Sequence, residues 1–352
     1  MGKKSIIFNK YIRKAEFLVI VAAAFAIYFF LNDETENKPV QTENEYSAER
    51  KKEPENHPET IEAVSVYFDE EIFGIVMKMI KNAEKSVYAA TYTYAENEIT
   101  ELLEIKNRNG IKVKVAAGRN KDKSQPAYDF TVVKMPGGIY HPKFFVFDSR
   151  DVMILSANIS SETSAFNNAV LFRNAPEAAK ILESEIDDVF EGKILKRCEN
   201  GCLTEIGKIF FNPGKGCVNV RNEFLTAKNS IKAGIYTVTN KNPVVTGLKK
   251  AIGKGVKTSI IVDNWRGEDG KIVNKKAFSY LESLGADLKY DEKSMENRRI
   301  FHHKFAVIDG MTAVFGSMNW TSSACYRNRE IIVISKNPEI TASFAGYIDS
   351  FR

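Results

Sequence analysis

Histidine is scarce in this chain: His57, His141, His302 and His303 are the four in 352 residues. A strong excess of charge is also missing. The formal net charge is +5, which permits a polyanionic partner without demanding one. Cysteine is confined to Cys198, Cys202, Cys217 and Cys325. Three of these cluster, and outside the cytoplasm a disulfide fits there. Free thiols and a zinc site are the alternatives, and zinc lacks a fourth ligand nearby in sequence. Residues 33–60 almost lack large apolar side chains. Such a stretch cannot bury enough surface to order itself, so it reads as a flexible tether, and His57 within it as inert.

The long apolar run is residues 17–31, FLVIVAAAFAIYFFL. Lys3, Lys4, Lys10, Arg13 and Lys14 precede it, and Asp33, Glu34 and Glu36 follow. The run is short for a full span and also fits a signal-peptide core. No small-x-small cleavage site follows, and the run ends in Tyr28, Phe29 and Phe30. An uncleaved membrane helix is the preferred reading, with residues 1–32 as basic flank and anchor. The basic flank keeps to the cytoplasm, which puts the rest of the chain outside.

From residue 61 the chain repeats itself. Ala83-Glu-Lys-Ser-Val87 with Tyr92-Thr93 returns as Ala227-Lys-Asn-Ser-Ile231 with Tyr236-Thr237. Gly110-Ile-Lys-Val-Lys-Val115 returns as Gly255-Val-Lys-Thr-Ser-Ile260. Each half opens on an apolar stretch, 64–68 and 209–211. Each continues helix, strand (86–94; 230–239), helix, strand (111–117; 257–262), with Gly110 and Gly255 as helix stops. Alternation of strands and helices predicts an α/β fold of two similar halves, each a largely parallel sheet flanked by helices. The halves are 61–195 and 209–352, joined by helix 176–190 and a connector, 196–208. Duplicated halves pack about a pseudo-two-fold axis, where equivalent residues meet. The second half carries extra residues, about 265–299, with a helix over 275–284 and a polar loop. Trp265-Arg266 and Arg298-Arg299 flank it and suit a phosphate backbone or head group, though a solvated loop is the commoner explanation.

Each half carries one short signature, His141-Pro-Lys143-Phe-Phe-Val-Phe-Asp148 and His302-His-Lys304-Phe-Ala-Val-Ile-Asp309. Apolar alternation after each Lys reads as a strand, so His and Lys two apart share a face. A given His has Lys at +2 and Asp at +7 roughly once in a few hundred times by chance. Two matches at equivalent repeat positions are not coincidence. At equal spacing beyond each Asp stand Ser156 and Ser317, then Asn158 and Asn319, then Ser160 and Thr321, then Asn167 and Asn328. His303 lies on the opposite strand face and reads as a packing residue. Tyr92-Thr-Tyr94 and Tyr236 line the site or fill the core.

These motifs resemble the phospholipase D superfamily, and the likeness covers residues 61–352. The second half, through 302–309 and Gly316-Ser317-Met318-Asn319-Trp320-Thr321, is most similar to the small nuclease and mitochondrial cardiolipin hydrolase branch. The resemblance implies a phosphodiester hydrolase that uses no metal or other cofactor. Its catalytic residues are His141, Lys143, Asn158, His302, Lys304, Asn319 and Glu330, with Asp148, Ser156, Asp309 and Ser317 in support. It implies that one His attacks phosphorus to form a phosphohistidine while the other protonates the leaving oxygen. His141 is the expected nucleophile. Glu330 is expected to orient His302, the corresponding position after His141 being Ala169. Two substrates fit, nucleic acid first and phospholipid such as cardiolipin second. A non-catalytic binding module is the least supported reading, since His, Lys and Asn stand intact in both halves.

Overall fold

A computed structural model describes residues 63–160, 165–193, 196–264, 274–292 and 299–351, all within one compact unit spanning 57–352. The apolar run at 17–31, the tether, His57, Trp265, Arg266 and Arg298 lie outside the described residues. Among the described residues, no helix is long and apolar enough to cross a membrane.

The first sheet has seven strands in the order β1 (Ala63–Phe68), β7 (Asn168–Arg173), β6 (Asp151–Leu155), β5 (Phe144–Phe147), β2 (Ser86–Tyr94), β3 (Lys112–Asn120), β4 (Asp129–Val132). The second has eight: β12 (Asp287–Tyr290), β11 (Lys257–Val262), β10 (Ser230–Ile235), β13 (Lys304–Ile308), β14 (Thr312–Gly316), β15 (Glu330–Ser335), β9 (Gly207–Asn212), β8 (Cys202–Thr204). The sheets are mixed, which corrects the expectation of largely parallel ones. Only β2–β3–β4 and β10–β11–β12 are parallel, and every other pairing is antiparallel. The reason is connection length. A parallel pair needs a long crossover, which α2 (Glu98–Arg108) and α5 (Pro243–Gly253) supply. The signature strands β5 and β13 instead turn straight back through Asp148–Arg150 and Asp309–Met311 into β6 and β14. The residues after α2 and α5, Gly110 and Gly255, take φ of +82° and +86°, the left-handed conformation that stops a helix.

Strand alternation sorts side chains into layers. Tyr88 and Ala90 of β2 and Phe305 and Val307 of β13 face a central core shared by both sheets. That core also takes in α3 (Pro176–Phe190) and α8 (Pro338–Asp349), and Phe172 lies 6.3 Å from Phe315 across it. Val87 and Ala89 face the outer layer built on α1 (Glu71–Asn82) and α2. Ala306 and Ile308 face the outer layer of α4 (Gly216–Thr226), α5, α6 (Lys275–Ser283) and the short α7 (Ser322–Tyr326).

The cysteines form two disulfides, Cys198–Cys202 and Cys217–Cys325. Cys217 therefore pairs with distant Cys325 on α7, not within its own cluster, and no thiol remains for zinc.

Candidate active site

The signature aspartates build the frame. Asp148 accepts hydrogen bonds from the backbone N–H groups of Glu84, Lys85 and Ser86, the shortest at 2.7 Å. Asp309 does the same for Lys228, Asn229 and Ser230, each at 2.8 Å. Burial works against the Asp309 carboxylate, but those amides hold its pKa below the usual value. Each Asp thereby ties the end of its signature strand to the start of the neighbouring one, away from the reacting groups.

The two histidines meet through reciprocal strand contacts. The His141 N–H donates to the Arg329 carbonyl at 2.8 Å, and the His302 N–H donates to the Phe166 carbonyl at 2.7 Å. Parallel bridges pair Tyr140 with Arg329 and Phe166 with Phe301. Each histidine thus hangs on a segment of the other half. Lys143 Nζ donates to the His141 carbonyl at 3.1 Å, and Lys304 Nζ donates to the His302 carbonyl at 2.7 Å. His141, Lys143 and Lys304 are 6%, 0% and 2% exposed, so two ammonium groups are held inside the protein beside two imidazoles.

Glu330 supports His141, which overturns the expected pairing with His302. Its carboxylate lies 2.7 Å from His141 Nδ1, and accepts from Ser317 Oγ at 2.6 Å and Asn328 Nδ2 at 3.2 Å. The counterpart at His302 is Asn167, whose Oδ1 lies 3.0 Å from His302 Nδ1 and accepts from Ser156 Oγ at 2.9 Å. Asn167 Nδ2 donates to the Ala165 carbonyl, which fixes Oδ1 as the atom facing the ring. His302 therefore carries its proton on Nδ1 and presents the lone pair of Nε2. Ala169, expected at this position, is a core residue of β7. The misalignment has a simple cause. Ser156 and Asn167 are 11 apart in sequence, whereas Ser317 and Glu330 are 13 apart, so the second half has two more residues between its Ser and the group that meets the ring. Equal spacing from the histidines misses that slip.

The electrostatics follow. Burial pulls the His141 pKa down to about 4, with Lys143 and Lys304 acting the same way and Glu330 opposing. Burial, Lys304, Lys143 and His141 push His302 well below its usual 6.5, and Asn167 brings no charge to oppose them. Burial lowers Lys143 to about 7, against Glu330, and burial with Lys143 pulls Lys304 well below its ordinary value. Four groups that repel one another's protons describe a site made for an anion.

Asn158 Oδ1 accepts from the Thr93 N–H at 3.3 Å, which turns its amide group away from the backbone. Asn319 Oδ1 is buried and has no hydrogen-bond partner among the described residues. Gly316, before Ser317, has φ +139°, and a Cβ there would meet the Ile331 carbonyl at 2.2 Å. His303 is fully buried among Phe301, Phe305 and Tyr347, as a packing residue should be, and it also faces Asp69 at 3.2 Å. Tyr92 and Tyr236 line the site, their rings 5.3 and 5.0 Å from those of His141 and His302. Their recurrence in the repeat was the signal for that role. Arg329 had no such signal. Its guanidinium is buried and bonds Glu185 of α3 at 2.8 Å, holding the backbone that carries His141.

Known proteins resemble this chain over the same region. The family described as "Cardiolipin synthase, PLD-like domain" matches residues 76–190 and 220–352. A mitochondrial cardiolipin hydrolase of Xenopus tropicalis is 30% identical over 124 residues, 34% of this chain and 53% of that protein. A phospholipase D of Rickettsia conorii is 30% identical over 135 residues, 38% of this chain and 63% of that protein. The chain thus spans about half the length of the cardiolipin hydrolases it matches. The phosphatidylserine synthase of Haemophilus influenzae shares the fold, with a TM-score of 0.61 at 12% identity over 83% of this chain and 86% of that one.

Proposed function

The chain belongs to the phospholipase D-like family; on that premise we propose that it is a phosphodiesterase, which hydrolyses phospholipid phosphodiesters through a phosphohistidine on His141. The observation that carries this reading is the pairing of His141 with the Glu330 carboxylate at 2.7 Å while His302 has an amide. When His141 Nε2 bonds to phosphorus, its ring becomes positively charged. A carboxylate on Nδ1 stabilises that charge, and a neutral amide does so less. His141 thus remains the nucleophile, for a reason opposite to the one its sequence suggested.

The bound diester anion sits among Lys143, Lys304, Asn158 and Asn319, which neutralise charge growing on its oxygens. The Asn319 amide, turned over at no cost in shape, offers its N–H group to the same oxygens. The negative charge raises the proton affinity of His302, which binds a proton on Nε2. His141 Nε2 then attacks phosphorus, the bond to the leaving oxygen breaks, and His302 Nε2 protonates that oxygen. Water next attacks phosphorus and gives His302 a proton as the P–N bond breaks.

Of the two substrates, phospholipid is favoured over nucleic acid by the relatives named as cardiolipin hydrolase and phospholipase D. The disulfides Cys198–Cys202 and Cys217–Cys325 suit an oxidising compartment, in keeping with a catalytic domain outside the cytoplasm. The test offers the protein cardiolipin vesicles, phosphatidylglycerol vesicles, single-stranded DNA and RNA in parallel, all with EDTA. Release of phosphatidic acid supports the reading. Cleavage of nucleic acid alone, or turnover that needs added metal, refutes it. His302→Ala should still accumulate phosphoenzyme from bis(p-nitrophenyl) phosphate, whose leaving group needs no acid. A phosphate trapped on His302 of the wild-type protein would reverse the roles.

A further inference from the structure

A cavity of about 360 Å³ opens beside Asn158 and Asn167 in the first half. Asn158 and Asn167 form part of its wall, and Asp69, Glu70 and Arg299 are its other polar lining residues. Arg299 and Glu70 are paired there. The rest of the lining is apolar: Ile72, Phe73 and Val76 from α1, with Phe145, Leu155 and Ile159.

The repeat shows why the space is open. The second half places Met318 and Trp320 on either side of Asn319, where the first half has Ala157 and Ile159 beside Asn158. Met318 and Trp320 are 4% and 2% exposed and fill the outer layer of their half. Met318 Sδ lies 3.3 Å from Cys217 Sγ, and Trp320 packs edge-on against Phe224 at 5.5 Å. With the smaller pair, the equivalent volume beneath α1 stays empty. Protein interiors rarely leave voids of that size without an occupant.

We infer that this cavity receives an acyl chain of the substrate while the phosphodiester lies against Asn158 and Lys143, an inference that rests on the phospholipid reading above. The chemistry of the lining selects the occupant. A nucleobase is ringed by polar atoms and needs donors and acceptors within its pocket. Here Asp69 accepts from the Asn167 N–H at 3.1 Å and Glu70 pairs with Arg299, so these polar groups are grouped by their own contacts, and the remaining wall is hydrocarbon. That division matches an amphiphile with its anionic end at the catalytic groups and its chain inside.

The experiment uses the full chain and phosphatidylglycerols from dibutyryl to dipalmitoyl in detergent mixed micelles, with bis(p-nitrophenyl) phosphate as a chainless control. The expected wild-type result is a kcat/KM that rises with chain length and then levels off as the cavity fills. Val76→Phe fills the cavity from α1, away from the reacting groups. It should lower kcat/KM for the long-chain lipids by about tenfold or more and leave bis(p-nitrophenyl) phosphate within about twofold. Ala157→Met, which restores the residue type of the other half, should act the same way and decides the matter if Val76→Phe folds poorly. Wild-type turnover of phospholipid with both variants keeping the wild-type chain-length profile overturns the cavity assignment alone, as does an equal loss on every substrate in both variants. A wild-type protein that cleaves bis(p-nitrophenyl) phosphate but no phospholipid sinks the substrate reading and the cavity with it.

Discussion

Glu330→Gln keeps the shape of the residue that holds His141 and removes its charge. Glu330 is fully buried and accepts from His141, Ser317 and Asn328, so water cannot replace what is lost. The bond to Nδ1 strengthens as the ring gains positive charge at phosphorus. A hydrogen bond to a charged partner is worth about 1.5–3 kcal/mol, and about 1.4 kcal/mol is tenfold in rate. The variant should therefore lose about 10- to 150-fold in kcat, with KM little changed, because the lost interaction belongs to the transition state. Protonation at pH 7 does not confuse the result. His141 already titrates near 4, and removing the carboxylate lowers it further. Single-turnover release of p-nitrophenol from bis(p-nitrophenyl) phosphate isolates the phosphorylation step. A kcat within about threefold of wild type, or a loss confined to KM, would refute the argument that His141 carries the charge.

The alkaline side of the profile belongs to Lys143, whose pKa is pulled down to about 7, so kcat/KM should fall as pH rises through that region in the free enzyme. The kcat limb should lie higher, since the bound anion favours the ammonium; coincident limbs would count against Lys143 as the anion's partner. Stability should also fall with acid. An unfolded His takes a proton below about 6.5, folded His141 only near 4, so between them the unfolded state binds more protons. That difference is worth about 3 kcal/mol for His141, and the loss in urea midpoint from pH 7 to pH 5 should shrink in His141→Gln; an unchanged slope rejects it. Cys217→Ser with Cys325→Ser opens a link across 108 residues and should cost about 4–5 kcal/mol in urea unfolding. Asp309→Asn weakens three backbone bonds and should lower stability by about 1–2 kcal/mol, with activity per folded molecule retained.

Much of this arrangement is legible in sequence because it repeats. The bounds of β2 and α3 and the helix stops at Gly110 and Gly255 follow from local pattern, and the supporting roles of Asp148 and Asp309 from what the family resemblance implies. Sheet direction was not legible, because the same alternation accompanies a crossover helix or a tight turn, and only the turns at 148–150 and 309–311 decide. Nor was the partner of each histidine, since two more residues between Ser317 and Glu330 shift Glu330 away from equal spacing. The cavity beneath α1 was hidden for another reason. Ala157 is unremarkable until it is seen opposite Met318 in the folded repeat.

The crossed supports of the histidines make catalysis a property of the joined halves. His141 takes its backbone partner and its carboxylate from the second half, and His302 takes its backbone partner and its amide from the first. Either half alone would display its own His–Lys pair with nothing to aim it. A chain emerging from the ribosome therefore passes its first signature long before Arg329 and Glu330 exist to complete it. On the proposed mechanism the site is complete only when the last strands have closed over the seam, so activity would arise late in the chain's synthesis.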